Sequence, residues 1–337
     1  MTIALVTINQ PSLDAAVRLL PYLAEHTVDL FGKSGLKNAP DTLNTFTKLD
    51  TILPEAWERY DALIFLLATG AVIRKIAPLL RDKATDPAVL VINLTLDRII
   101  PLLGGHLGGA NALAETLTAR LPGCINFLST ATDQTGTLAF EMLAQERGWS
   151  IDNLHALARI SNRLIDHQPV KVATWPSLFA SIPDRRNLVQ VDLDAIDEDT
   201  VVIAPHIPSS ALTLKPPVTL GIGCNRGTPA EAFEEALNTF LKTHHLQPEQ
   251  IDRLASFEAK RNETGLLAFA KKHGWEITFF DAEAINRLPG TFSPSAAERF
   301  FGLKGVAEPS AVLGSTYREL LFPKTVYNGH ITIAGAI

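Results

Sequence analysis

Four glycines surround a histidine in the run Gly104-Gly105-His106-Leu107-Gly108-Gly109. Glycine permits positive φ and lets a backbone approach a ligand closely. The run therefore presents His106 on an open loop, not on an apolar helix face. An imidazole titrates near neutrality, which suits general acid–base work. The competing reading is a loop histidine that caps the next helix. Further along, Ser129, Thr130, Thr132 and Asp133 crowd hydroxyls and a carboxylate at one strand end. Open α/β sheets bind ligands beyond such ends. Asp133 is either a base or the N-cap of the next helix. Asp86, just before Pro87, is a third candidate for acid–base work or a turn residue.

Two other segments suit anions. A strand runs into Thr69-Gly70, and a helix starts at once. Unpaired amides at a helix start favour negative charge. Arg74, Arg81 and Lys83 add cations, though solvated basic residues beside an ordinary turn would read the same way. The second segment is Gly-Ile-Gly-Cys-Asn-Arg-Gly-Thr, residues 221–228. Gly221 and Gly223 follow a strand, Thr228 takes the N-cap position and Pro229 the first helical one. The glycine spacing is one residue off the dinucleotide fingerprint, and Glu258 lies too far on for a ribose contact. The segment reads as an anion-binding turn, not a nicotinamide site. Cys224 is either a thiol of lowered pKa or a small residue in a tight turn. Lys260 and Glu263 either pair with each other or reach a ligand. His244-His245 has no partner at metal-ligand spacing.

The elements that must position these residues alternate. Ile3–Ile8, Ala62–Leu67 and Ile125–Leu128 read as strands, and Leu13–Ala24, Ala71–Leu80 and Leu107–Leu121 as helices. Ala88–Ile92 and Arg98–Leu102 read as paired strands around a turn. A fresh pattern begins at Val218, with strands at Val218–Ile222, Ile251–Phe257, Ile277–Phe280 and Ile331–Ala334. Its helices are Pro229–Leu241 and Asn262–His273. The expectation is an α/β protein of two open-sheet lobes, residues 1–136 and 216–337, joined by a small irregular middle region and linker, 137–215.

Composition narrows the class. The chain has 337 residues, 46% hydrophobic and 20% charged, so it can bury a sizeable core. Two cysteines exclude a disulfide scaffold. A net charge of −6 argues against non-specific nucleic-acid binding. No apolar run spans a bilayer, and the first residues read as a strand, not a signal peptide. The expectation is a soluble cytoplasmic protein.

Taken in order, these segments resemble the cobalt-precorrin 5A hydrolase family (CbiG) of anaerobic cobalamin biosynthesis, over nearly the whole chain. Ala68–Gly70, Arg74, Ala77–Leu80, Asp82-Lys83 and Asp86–Val89 match one motif, and residues 105–111, ending in Asn111, match another. Residues 129–133, Gly221–Cys224 with Arg226–Thr228, and Lys260, Glu263 and Gly265 match three more. Val306-Ala307-Glu308 matches a last one. Gly104 and Gly305 stand where serine is usual, and Asn225 where arginine is.

The resemblance implies a hydrolase that opens the ring A δ-lactone of a cobalt-containing tetrapyrrole and releases the two-carbon unit as acetaldehyde, giving cobalt-precorrin 5B. It implies no protein-bound cofactor and no metal site, since cobalt belongs to the substrate. His106, Asp133 and Asp86 are then the acid–base candidates. Thr69, Gly70, Arg74, Lys83, Gly105, Gly108, Gly109, Asn111, Thr130, Thr132, Gly221, Gly223, Cys224, Arg226, Thr228, Lys260 and Glu263 become substrate-binding candidates. The partners expected are the corrinoid substrate, a second copy in a homodimer and other enzymes of the pathway by hand-over, with neither nucleic acid nor membrane. A non-catalytic corrinoid carrier is the alternative. A nucleotide-dependent enzyme is disfavoured by the glycine spacing and the absence of a P-loop.

Overall fold

The computed structural model describes residues 1–82, 85–129, 135–294 and 302–337. Residues 1–137 form one compact unit and residues 138–337 a second.

The first unit is a seven-stranded sheet of order β3-β2-β1-β4-β5-β6-β7. The strands are β1 (Thr2–Val6), β2 (Thr27–Lys33), β3 (Asn44–Phe46), β4 (Ala62–Phe65), β5 (Ala88–Ile92), β6 (Arg98–Leu103) and β7 (Ile125–Asn126). Every residue of β4 and β5 is buried, as strands covered on both faces require. One face packs against α1 (Gln10–Leu19) and α4 (Ala110–Arg120), through Leu13, Leu19, Leu113 and Leu117. The other packs against α2 (Leu53–Arg59) and α3 (Thr69–Ile76), through Trp57, Val72 and Ile76. A capping box between Asn9 and Ser12 starts α1, a device worth about 1 kcal/mol.

Strand direction matters most for the site. β1 to β5 run parallel. β6 turns back antiparallel to β5, with Val89 opposite Leu103, and β7 runs parallel to β6. The chain therefore leaves β6 and β7 at the edge where β4 and β5 begin.

The second unit holds two five-stranded sheets. The middle of the chain, expected to be irregular, is regular. Its strands β8 (Ser150–Asp152), β9 (Val170–Ala173), β10 (Leu188–Val191), β11 (Thr200–Ile203) and β12 (Leu212–Lys215) take the order β10-β9-β11-β12-β8. Each has only three or four residues, too few for alternation to register as a pattern. Helices α5 (Phe140–Glu146), α6 (Leu157–Ile165) and α7 (Pro176–Ser181) accompany them. The last sheet orders β13 (Val218–Cys224), β14 (Ile251–Phe257), β15 (Glu276–Phe280), β16 (Leu320–Tyr327) and β17 (Ile331–Ala336) as β15-β14-β13-β17-β16. Its helices are α8 (Ala230–Thr243), α9 (Thr264–His273), α10 (Ala282–Arg287) and α11 (Ala307–Gly314). One apolar core runs through both sheets, from Phe140 and Leu157 to Phe240 and Ile333.

Two histidines sit in that shared layer. His206 stacks on Trp175, with ring centroids 6.1 Å apart, and meets Phe322 edge-on at 4.9 Å. His244 lies 4.5 Å from both Phe240 and Phe322. His206 Nδ1 and His244 Nε2 are buried without a hydrogen-bond partner among the described residues. Burial pushes both imidazoles below the ordinary histidine value, and positive charge on neighbouring histidines adds to this. The fold thus favours the neutral rings. As pH falls through the ordinary value of 6.5, the unfolded chain takes up protons that the folded chain resists, and stability declines. The thermal midpoint should drop between pH 7 and pH 5. A His206→Phe, His244→Phe double variant should show a shallower drop, measured by calorimetry across that range. An unchanged slope would place the acid sensitivity elsewhere.

Candidate functional site

The loop after β6 carries His106. Gly104 has φ +67°, and a Cβ there would stand 3.0 Å from Ala88 Cα and 3.1 Å from the Pro87 carbonyl oxygen. That backbone accounts for glycine at a position where the resemblance expects serine. The loop then winds tightly onto the start of α4. The amides of Ala110, Asn111 and Gly109 donate to the carbonyls of Gly104, Gly105 and His106, at 3.0, 2.9 and 2.8 Å. Gly108 is forced by the same winding, since a Cβ there would meet the Gly104 carbonyl oxygen at 2.8 Å. His106 is consequently buried, at 7% exposure. The open loop expected from four glycines is instead a closed one, because the glycines let the chain fold on itself. Asn111 is also buried, beneath Gly105.

Asp86 lies at the same edge, in the loop that leads into β5. Its Oδ1 accepts from the Trp57 indole at 3.3 Å, and both oxygens accept from the Arg81 amide at 3.2 and 3.1 Å. Both oxygens are thus engaged, tying the Arg81 backbone to the Trp57 indole of α2. This geometry makes Asp86 a positioning residue. A cavity of about 230 Å³ opens here, lined by Leu80, Arg81, Asp82, Asp86, Leu103 and Gly104. Ser129 is exposed two residues beyond Phe127, at the end of the chain leaving β7. Lys83, Thr130, Thr132 and Asp133 lie outside the described residues.

Thr69, Gly70 and Arg74 do not join this group. They follow β4, whose C-terminal end is at the opposite edge of the sheet from Gly104. Arg74 Nη1 donates to the Gly70 carbonyl at 2.8 Å, which draws its guanidinium back toward the start of α3.

In the second unit the remaining candidates gather where β13 and β14 end. Gly227 N donates to Glu263 Oε2 at 2.9 Å, and Lys260 Nζ lies 3.4 Å from Glu263 Oε1. Glu263 is buried at 9% exposure, so one carboxylate fastens the Gly223–Thr228 loop to the start of α9 and neutralises Lys260. Arg226 is exposed on that loop. Thr228, expected as an N-cap, donates its hydroxyl to the Asn225 carbonyl at 2.9 Å, and the N-cap is Pro229. The hydroxyl closes the loop instead of satisfying the helix. Burial pushes the Cys224 thiol up to about 11, against a smaller opposing pull from Lys260. It stays protonated at neutral pH, which overturns the lowered pKa.

The glycines of this segment serve packing. A Cβ on Gly221 would stand 1.8 Å from the Ala307 carbonyl oxygen of α11, and one on Gly265 would stand 2.0 Å from the Thr228 carbonyl oxygen. A Cβ on Gly223 would meet Thr332 Oγ1 at 2.5 Å.

The family described as Cobalamin synthesis G N-terminal matches residues 51–133. The Cobalamin biosynthesis central region matches 138–216, and Cobalamin synthesis G C-terminus matches 218–336. A cobalt-precorrin-5A hydrolase of Salmonella typhimurium is 33% identical over 285 residues, covering 79% of this chain and 81% of that protein. The chain belongs to the cobalamin synthesis G family. Another relative, a cobalt-precorrin-5A hydrolase of Priestia megaterium, is 29% identical over 306 residues, 85% of this chain and 81% of its own. A crystal structure of a cobalamin biosynthesis protein G homolog from Sulfolobus solfataricus covers 99% of this chain and 96% of its own, at 19% identity and a TM-score of 0.39.

Within this member of the cobalamin synthesis G family, two residues beyond the candidates hold the loops in place. Trp57 donates to Asp86, and its signal in the sequence was only a tryptophan on an amphipathic stretch. Glu308, on α11, accepts from the Ser293 amide and hydroxyl at 2.6 and 2.7 Å and from the Lys324 amide at 2.9 Å. Burial pushes its carboxyl up, but these hydrogen bonds and the Lys324 charge outweigh that and hold it below the ordinary value. Its motif was legible, but its task was not. Among the described residues no helix is long and apolar enough to cross a membrane, and no three metal-ligating side chains cluster.

Proposed function

We propose that the chain is a cobalt-precorrin-5A hydrolase, acting on the lactone and then on a carbon–carbon bond, with cobalt carried by the substrate and the cytoplasm as its compartment. The observation that carries this is the 33% identity to a protein of that name across 79% of the chain. The arrangement around His106 supports it. Lactone opening needs an activated water, donors for the developing oxyanion and a held substrate. His106 is the base for water. The amides of Gly109, Ala110 and Asn111 are consumed by the loop itself, which leaves those of Gly105, Leu107 and Gly108 to face an oxyanion. Asp133 stands as the second acid–base group. Asp86 keeps its place in the site through the loop it fastens. In the second unit, Arg226 is exposed on its loop and is a cation suited to a carboxylate, charge-assisted.

Water adds to the lactone carbonyl and the ring C–O bond breaks, leaving a carboxylate and a hydroxyl. Deprotonation of that hydroxyl drives a retro-aldol cleavage. The carbon–carbon bond breaks, acetaldehyde leaves, and the electron pair passes into the macrocycle, where a proton is taken up. Anaerobic incubation of the purified protein with cobalt-precorrin-5A tests this directly. Trapped acetaldehyde in a one-to-one ratio with the opened corrinoid is expected. Tight binding with no conversion would instead favour the carrier reading.

A further inference from the structure

The face of β6 and β7 opposite α4 is covered unevenly: its β6 part packs against the core beneath α2 and α3, and its β7 part is exposed. Ile99 packs into the core beneath α4, whereas Ile100, Leu102 and Leu103 turn to the other face and are only partly buried there. In β7, Ile125 pairs with Arg98 and Asn126 with Ile99, and the Phe127 amide bonds the Ile99 carbonyl at 2.9 Å. Side chains alternate along strands, so Ile125 and Phe127 share the face of Ile100. They are 55% and 66% exposed. Helix α4 packs on β6 and β7 from the far side. Contiguous exposed apolar side chains of this size mark a contact surface.

This shelf continues into the cavity at the His106 edge. Leu103, at the end of β6, lines that cavity beside Gly104, and Leu80 lines it while remaining 47% exposed. From Ile100 to Leu103 is about 10 Å of strand, within the span of a tetrapyrrole ring. Arg98 and Arg81 stand at the two ends, each paired to an exposed acid, Asp97 and Glu58. Exposed pairs of this kind contribute little and exchange readily for carboxylates on the rim of a ligand.

Resting on the proposed hydrolase reading, we infer that the exposed apolar face of β7, centred on Phe127 and bordered by the partly buried face of β6, is the platform for the flat apolar face of the cobalt-precorrin ring, with one edge of the ring entering the cavity beside Gly104. The ring lies against Phe127 and Ile125, and its lactone-bearing edge points toward the loop after β6. Stacking on an aromatic face is tolerant of what the ring carries, whereas the cavity is not. Phe127 is a positioning residue, and its loss weakens binding without touching the chemical step.

Phe127→Ala is expected to raise KM and the corrinoid Kd at least tenfold, about 1.4 kcal/mol, with kcat within twofold and an unchanged thermal midpoint. Phe127→Trp should retain the wild-type KM. Acetaldehyde release gives KM and kcat, corrinoid absorbance gives Kd, and sedimentation gives the assembly state. Wild-type turnover with an unchanged KM in Phe127→Ala would overturn the platform and leave the hydrolase standing. A wild-type dimer that Phe127→Ala converts to a monomer, again with KM unchanged, would assign the shelf to a second copy and overturn the platform equally. A wild-type protein that neither binds nor converts the corrinoid would remove the hydrolase reading and the platform with it.

Discussion

Replacing His106 by alanine should lower kcat by about 10²–10⁴-fold, the usual contribution of a positioned general base, while the protein still binds the corrinoid. The loop that carries His106 is closed by three backbone hydrogen bonds, from Gly109, Ala110 and Asn111. None of these three involves the imidazole. The buried ring does leave a void, at a stability cost of about 1 kcal/mol. His106→Asn is therefore the better companion. It keeps a polar group of similar reach but cannot shuttle a proton near pH 7. Both variants should lose turnover alike and differ in thermal midpoint. A KM effect alone, with kcat retained in both, would remove His106 from the chemical step. Turnover at the wild-type rate with binding retained would end the assignment altogether.

Much of the first unit was legible because its central strands are uniform. Ala62–Phe65 and Ala88–Ile92 are unbroken apolar runs, and the hairpin into Arg98 is marked by the polar residues between them. The direction in which that hairpin sends the chain was not legible. Reversal at β6 sends the His106 loop to the edge opposite Thr69 and Gly70, and this depends on register, with Val89 opposite Leu103. Motifs adjacent in the sequence therefore part in space. The second unit hid more. α11 contains Ala-Glu-Pro-Ser-Ala-Val-Leu-Gly and is buried nearly all round, so it has no apolar stripe to count. β16 contains Pro323, and its pairing with β17 is interrupted by two register shifts, which breaks the alternation. Glu308 matched a motif, but its hydrogen bonds to Ser293 and Lys324 join segments separated by 15 and 16 residues, which no local pattern encodes.

The glycine at position 221 provides the sharpest test of the second unit. Gly221→Ala should destabilise the protein by about 3 kcal/mol or more, at or above the upper end of ordinary overpacking. The added methyl would fall 1.8 Å from the Ala307 carbonyl oxygen and 2.6 Å from the Ala311 amide nitrogen. Both are backbone atoms of α11, so no side chain can rotate away. Gly221 is itself in the middle of β13, paired with Ala255 on one side and Ala334 on the other, so the strand cannot recede either. The helix must lift, and with it Glu308. Against a total stability of about 5–15 kcal/mol for a folded protein, that is a large loss, visible as a lowered urea midpoint. Gly227→Ala is the control within the same motif. Its φ is +74° with nothing near the new methyl, so only the left-handed backbone is penalised, by about 1–2 kcal/mol. Equal stability of Gly221→Ala and wild type would mean that α11 does not lie against β13 as described. The predicted order separates two uses of glycine in one motif. Gly221 lets a helix approach the sheet, while Gly227 bends the loop whose amide Glu263 holds, and only the second is near enough to Arg226 to affect a bound ligand directly.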